Sequence, residues 1–483
     1  MNILLHAALN RRCASAVNKL LDLYGSKNSI LIYCKQENYE IEKQLMPSCV
    51  IDKNELAGHR FDEFPMFNQL PPIDEDTLYA IALHEAETYK MMDSYYPPVN
   101  FNERQRIYLD GIRLFNGLIE KYKIEVYITF GIPHQVYDYM IYNLCKAKGI
   151  PTILLYRTPV KGLIYGFTDI DNHMPEFKAR YERLKLEYKE RHPDDIQLPK
   201  ILDDVYVRYT KDEQIPMLYY MKKKTFPEKM VRFFSLSKQY WDVMSGISSG
   251  YNYLKASHEK RMIDRFIAHN AVEPDLQCEY FFVALHYQPE GTTSPMAGVF
   301  VNQLLMIQMI SAFVPDNVMI YVKEHPNQGK RGGKNIKFYQ QMLKMNNVRL
   351  VPTNYSTTVL MHHSIGIVTA TGTIAFEAMF KGKPVINFGH YIYEYGPNMY
   401  SVRTLVECRD AVRSIMNTTI NDCKFEAKLY LKTLSEFVFE GEFCIDDIKN
   451  GKDELAEYEI TSEDSNNNIF ETISGMIGQD ETT

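Results

Sequence analysis

No stretch of this chain is long and apolar enough to cross a bilayer, which takes about 18 consecutive apolar residues. The opening Met1 to Leu9 is apolar but carries no basic leader. It runs on into NRRCASAVNKLL, which reads as strand, turn and amphipathic helix rather than as a secretory signal. The eight cysteines, Cys13, Cys34, Cys49, Cys145, Cys278, Cys408, Cys423 and Cys444, form no CxxC pair and no metal-ligand spacing. Reduced, partly buried thiols are expected, as in a cytoplasm. Internal repeats, low-complexity blocks and basic runs that would mark a nucleic-acid partner are missing as well. A soluble, cytoplasmic globular chain is the expectation.

The net charge of −7 hides an asymmetry, because from Gly441 onward there are 12 acids and 2 bases. The body before that point is therefore mildly basic, about +3, which suits an anionic small-molecule ligand better than a polyanion. At 483 residues the chain is too long for one ordinary core. Alternating strand and helix signals predict two α/β units. In the first, strands are expected at Ile3 to Ala7, Ser29 to Cys34, Glu125 to Phe130 and Thr152 to Leu155, with helices at Ala14 to Tyr24, Glu103 to Tyr122 and Tyr137 to Lys148. The second repeats the pattern from Tyr280 to Phe388. Expected boundaries are 1–175, a charged and aromatic helical insertion at 176–270, a second unit at 271–405, and C-terminal helices with an acidic tail at 406–483. The tail from about Ser462 is expected to be mobile or to form a short docking helix through FETISGMIG.

Chemistry concentrates in the second unit. In MIYVKEHP an apolar run ends in Lys323, Glu324, His325 and Pro326, so a strand delivers a cation, a carboxylate and an imidazole to one rim. In open α/β sheets that carboxyl edge is where ligands bind. Further on, IGIVTATGTIAFEAMFKGKPVINF reads strand, Thr/Gly turn, helix, turn, strand, with Thr369, Thr371, Gly372 and Thr373 in the turn. A helix start offers N–H groups to a phosphate. Upstream, FFVALHYQPEG ends a strand in His286, Tyr287, Gln288, Pro289 and Glu290. In the first unit VYITFGIPHQVYDY brings His134 and Asp138 to a helix start, both expected to face the cleft between units, with Arg157 at the corresponding edge.

The ordered set HYQPEG, KEHP and TGTIAFEA with GKPVI resembles the carboxyl-terminal half of a GT-B glycosyltransferase over about residues 275–400. It is most similar to bacterial capsular and surface-polysaccharide enzymes of the Kdo transferase and sialyltransferase type. That resemblance implies two Rossmann-like α/β domains facing a cleft, a CMP-activated ulosonic or nonulosonic acid as donor, and a His-Pro motif on the nucleotide. Residue by residue, it implies that Lys323, His325 and Pro326 bind the donor, that Thr371, Gly372 and Thr373 hold its phosphate, and that Glu377 binds ribose. Gln288 is assigned to the donor side. Glu290 resembles the acid placed after such a strand and is the candidate base or nucleophile, with His134 and Asp138 as acceptor-side catalytic candidates. Sialyltransferases show two acids before the glycine, whereas this chain has Pro289, Glu290 and Gly291.

Plainer readings stand beside these. Thr371 and Thr373 are also what an ordinary helix N-cap looks like, Glu377 what a helix surface acid looks like, and His286 suits strand support as well as substrate contact. The basic and aromatic patch at Lys222 to Lys224 reads as a solvated helix end, with contact to the inner face of a membrane as the rival. Expected partners are a nucleotide-sugar donor and a glycan or lipid-linked glycan acceptor, with no cofactor beyond the donor. No metal is required. The DxD pair Asp169 and Asp171 reads as a surface turn. Alternatives are another GT-B enzyme, such as a sugar-nucleotide 2-epimerase or polyol-phosphate transferase, or a non-catalytic polysaccharide-binding or assembly protein.

Overall fold

The computed structural model describes residues 1–35, 41–56, 58–94, 99–211, 243–288, 290–326, 328, 334–417, 423–443 and 460–480. In the first unit β1 (Ile3–Leu9), β2 (Ile30–Lys35), β3 (Cys49–Asp52), β4 (Val126–Phe130) and β5 (Thr152–Arg157) run parallel in the order β3-β2-β1-β4-β5. β6 (Leu163–Phe167) turns back against β5. Near-continuous apolar strands such as ILLHAAL and TILLYR fit a sheet covered on both faces. The sequence expectation missed β3 and β6, each only 4 or 5 residues long.

The second unit is parallel throughout. β7 (Tyr280–Ala284), β8 (Met319–Lys323), β9 (Val348–Leu350), β10 (Gly366–Thr369), β11 (Val385–Asn387) and β12 (Met399–Ser401) lie in the order β12-β11-β10-β7-β8-β9. In both sheets the direction of winding reverses beside the first strand, between β1 and β4 and between β7 and β10. Crevices at such reversal points, outside the carboxyl ends of the strands, are the ligand positions of open α/β sheets. The two Rossmann-like units implied by the resemblance are thus present.

The region 176–270 contains helices Pro175–Glu187, Lys200–Thr210 and Val243–Asn270, while Lys222 to Lys224 lie outside the described residues. Helix Pro175–Glu187 packs on helix Lys424–Leu434, with Phe177 and Tyr181 placing their rings 5.3 and 6.0 Å from Tyr430. Aromatics also join the units. Tyr391 sits 5.6 Å from Tyr156 and 6.5 Å from Tyr165, and its hydroxyl donates to the Arg157 carbonyl at 2.6 Å.

The C-terminal residues return to the first unit. β13 (Phe439–Glu440) adds antiparallel to β6, Phe443 lies against Phe130, and helix Ser462–Asp480 docks on helix Ala14–Leu23. Helix Lys424–Leu434 stops short of this strand. The tail docks over 19 residues because Ile469, Ile473 and Ile477 recur every fourth position and bury themselves completely or nearly so. Asn466 accepts the Ala16 N–H at 2.9 Å and donates to the Arg11 carbonyl at 2.9 Å. Among the described residues no helix is long and apolar enough to cross a membrane.

Candidate functional site

The loops after β7, β8 and β10 converge at the reversal point of the second sheet. His286 is their common partner. Its Nε2 lies 2.9 Å from Thr369 Oγ1 and accepts the main-chain N–H groups of Ala370 and Thr371 at 3.1 and 3.2 Å. Because Nε2 is the acceptor, the proton of the neutral ring is assigned to Nδ1. Burial, reinforced by Lys334 and His325, lowers its pKa to about 3. The His286 main chain is held in turn by Gln303 Oε1, at 2.8 Å from its N–H, and by Lys334 Nζ, at 2.7 Å from its carbonyl.

Lys334 connects this loop to the KEHP rim. Its ammonium pairs with Glu324 Oε1 at 2.7 Å, with side-chain exposures of 1 % and 3 %. The same oxygen accepts the His325 N–H at 2.6 Å, and Glu324 Oε2 accepts the Tyr339 hydroxyl at 2.6 Å. Glu324 is thus the floor of the rim rather than one of its open groups. Lys334 had no distinguishing signal in GKRGGKN, where Lys330 has the same composition around it.

Other expected donor residues fall into two sets. In the first set the polar side chains are engaged by neighbouring protein atoms. Thr371 is buried, its hydroxyl donates to the Thr292 carbonyl, and its N–H goes to His286. Gln288 is buried and donates to the Val301 carbonyl, while its main chain exchanges hydrogen bonds of 3.0 Å with the Gln328 side chain. Lys323 Nζ donates to Thr357 Oγ1 at 2.6 Å, and burial lowers its pKa to about 8.

The outward set lines the mouth. Pro326 and Thr373 are exposed, and His325 is half-buried with its ring 6.0 Å from Tyr287. Burial, with Lys334 and Lys323 against the opposing pull of Glu324, lowers the His325 pKa to about 4. Gly372 begins helix Thr373–Met379 with no side-chain cap, and it has no room for one. A Cβ there would meet Thr369 Oγ1 at 2.5 Å and the His286 ring at 3.4 Å. Glu377, one turn on, is half-buried beside Tyr209, and burial raises its pKa to about 7.

The first unit supplies the opposite wall. Gly131, at φ +129°, turns the chain after β4 through a region open to glycine, and His134 follows with Nδ1 2.7 Å from the Ile132 carbonyl. His134 is exposed and lies across from Gly291, where an added Cβ would come within 3.3 Å of it. Glu290 is the adjacent residue, exposed at its edge yet crowded enough by protein that its pKa rises; Thr292, donating at 3.2 Å, opposes the rise. Asp138 does not join them. It is 2 % exposed, turned toward Tyr127 and Tyr137, and burial drives its pKa well above the carboxylate range. The expectation overlooked that a residue one turn into a helix over a sheet faces the sheet as readily as the cleft.

Asp169 and Asp171 form a turn in which Asp169 Oδ1 accepts the Asp171 N–H at 2.9 Å, and Asp169 pairs with Lys146 at 2.8 Å. Among the described residues no group of three or more His, Cys, Asp or Glu is arranged to hold a metal ion. Cavities of about 220 Å³ by Lys146 and Thr168 and about 360 Å³ by Arg60 and Phe64 lie in the first unit, without such convergent groups. Strand-edge topology and convergent chemistry favour the cleft over them.

Residues 291–398 match the family model described as capsule polysaccharide biosynthesis protein. No curated protein matches the chain. Among solved structures it is similar to UDP-GlcNAc 2-epimerase from Methanocaldococcus jannaschii, at 12% identity and TM-score 0.27, covering 90% of this chain and 99% of that one. It is also similar to KpsC of Thermosulfurimonas dismutans, a beta Kdo 2,7 transferase, at 11% identity and TM-score 0.28, covering 78% and 90%. A third is UDP-GlcNAc 2-epimerase from Neisseria meningitidis bound to UDP-GlcNAc, at 13% and TM-score 0.23, covering 90% and 100%.

Proposed function

We propose that this chain is a glycosyltransferase of capsule or O-antigen polysaccharide biosynthesis. It takes a CMP-linked ulosonic or nonulosonic acid from a donor held by the second unit and passes it to a glycan or lipid-linked glycan at the wall of the first. One observation carries the reading: the capsule-family match, 291–398, spans the KEHP rim and the loop after β10, which lie on either side of the loop after β7 beside the sheet's reversal point. The reading invokes no metal and places the protein at the inner face of the membrane, where such acceptors are extended.

The chemistry follows from the mouth. His325 and Thr373 receive the nucleotide phosphate, and an arriving dianion favours the charged form of nearby Lys323, offsetting its burial. As the glycosidic bond breaks, negative charge grows on that phosphate and positive charge on the sugar. Glu290, across from His134, stands at the donor–acceptor boundary. Burial raises its pKa, which makes it a stronger base than a fully solvated glutamate. In an inverting transfer it accepts the acceptor's hydroxyl proton; in a retaining one it attacks the anomeric carbon and is later released.

The test supplies CMP-activated ulosonic acids and an acidic capsule oligosaccharide and follows CMP release. Wild-type turnover is expected, with Glu290→Gln slower by about a hundredfold or more and unchanged in CMP affinity. Consumption of UDP-sugars alone would move the assignment to the rival GT-B chemistries. Intact donor in every combination would remove the transferase reading.

A further inference from the structure

We infer that His286 is a positioning residue, whose ring holds the loop after β10 in the shape that receives an anionic nucleotide phosphate. The inference rests on the nucleotide-sugar reading above and adds a residue which that reading does not assign. Two successive main-chain N–H groups, from Ala370 and Thr371, converge on His286 Nε2, and the Thr369 hydroxyl approaches the same atom. Consecutive N–H groups turned to one point form a concavity that ordinarily takes an anion. Here a ring nitrogen fills it.

The choice of group matters for what comes next. A carboxylate in that position would bind the N–H groups more strongly but would place a full negative charge beside the incoming phosphate. An imidazolium would turn an N–H toward two other N–H groups. A neutral imidazole accepts both and adds no charge, so Thr373, exposed just beyond, stays open to an anion, while the Gly372 N–H goes to Thr369 Oγ1 at 3.1 Å. Burial of the ring keeps it neutral. The absence of a Cβ at Gly372 leaves room for the Thr369 hydroxyl beside the ring, since a Cβ would lie 2.5 Å from Thr369 Oγ1. Through its carbonyl the same residue holds Lys334, which holds Glu324 under His325. One side chain and its main chain therefore fix the relative positions of all three loops.

The test compares CMP binding by calorimetry in wild type, His286→Ala, His286→Gln and His286→Asp, with selective ¹⁵N-histidine NMR of the full chain. Gln can bring a carbonyl oxygen to the Nε2 position. It is expected to keep CMP affinity within about threefold, whereas Ala loses roughly tenfold or more, the scale of one or two hydrogen bonds. Asp is expected to weaken CMP more than it weakens cytidine, a split that a purely structural role would not produce. NMR is expected to show His286 as the neutral Nδ1–H tautomer from pH 8 to 5. Wild-type affinity in the Ala variant, or a ring protonated at Nε2, would overturn the inference. If wild type binds none of CMP, CDP, UDP or GDP, the proposed function fails, and the tautomer still decides the pin. The NMR arm uses wild-type protein and stands even where the Ala variant does not fold.

Discussion

Replacing Lys334 by Met should destabilise the protein strongly, because it leaves a buried carboxylate without its cation. The ammonium is buried with Glu324 Oε1 2.7 Å away, and both side chains are almost wholly excluded from solvent. Removing it leaves a buried carboxylate with only the His325 N–H and the Tyr339 hydroxyl, each at 2.6 Å. Breaking such a pair costs about 3–5 kcal/mol. Losing the Lys334 bond to the His286 carbonyl adds about 1 kcal/mol. The expected loss is therefore about 4–6 kcal/mol, which urea unfolding of wild type and variant at neutral pH measures. Replacing both partners, Glu324→Leu with Lys334→Met, should recover much of that loss. A loss below about 1 kcal/mol, or a double variant as unstable as the sum of its parts, would refute the reasoning.

Other consequences are checked in similar ways. Glu377 has a folded pKa of about 7, raised by burial from 4.5, so its contribution is fully present below 4.5 and fades as pH rises to 7. Melting curves should show Glu377→Gln losing less stability than wild type across that window; parallel profiles would remove the burial argument. Phe443→Ala empties the space beside Phe130, and equilibrium unfolding should register a loss of about 3 kcal/mol. Asn466→Ala should cost about 1–2 kcal/mol, because it removes two hydrogen bonds between the C-terminal helix and the first unit; no loss would mean that the helix docks through its isoleucines alone.

Much of the architecture was legible because parallel strands buried on both faces write themselves as apolar runs. MIYVK and YFFVA end within a residue or two of where the structure ends them. The missed strands are short. β12 is MYS and β13 only FE, and neither carries a periodicity that a 2- or 3-residue segment could display. The site was legible as loops but not as side-chain directions. KEHP and TGT flank the loop after β7, where His286 ties them together, yet Glu324 and Thr371 turn inward while His325 and Thr373 remain at the surface. That division depends on partners distant in sequence: Lys334 and Tyr339 for Glu324, Thr292 for Thr371. His134 could be placed at a loop after a strand, but its proximity to Gly291 depends on how the two units meet. Asp138 shows the converse, a polar residue at helical spacing drawn into the core.

The central claim is that the cleft side of the second unit holds a cytidine nucleotide. A thermal-shift panel of CMP, CDP, UDP and GDP tests it directly, with His325→Ala alongside. The account predicts that CMP raises the melting temperature and that His325→Ala reduces the rise. Stabilisation by UDP alone, or an undiminished CMP shift in the variant, would contradict it.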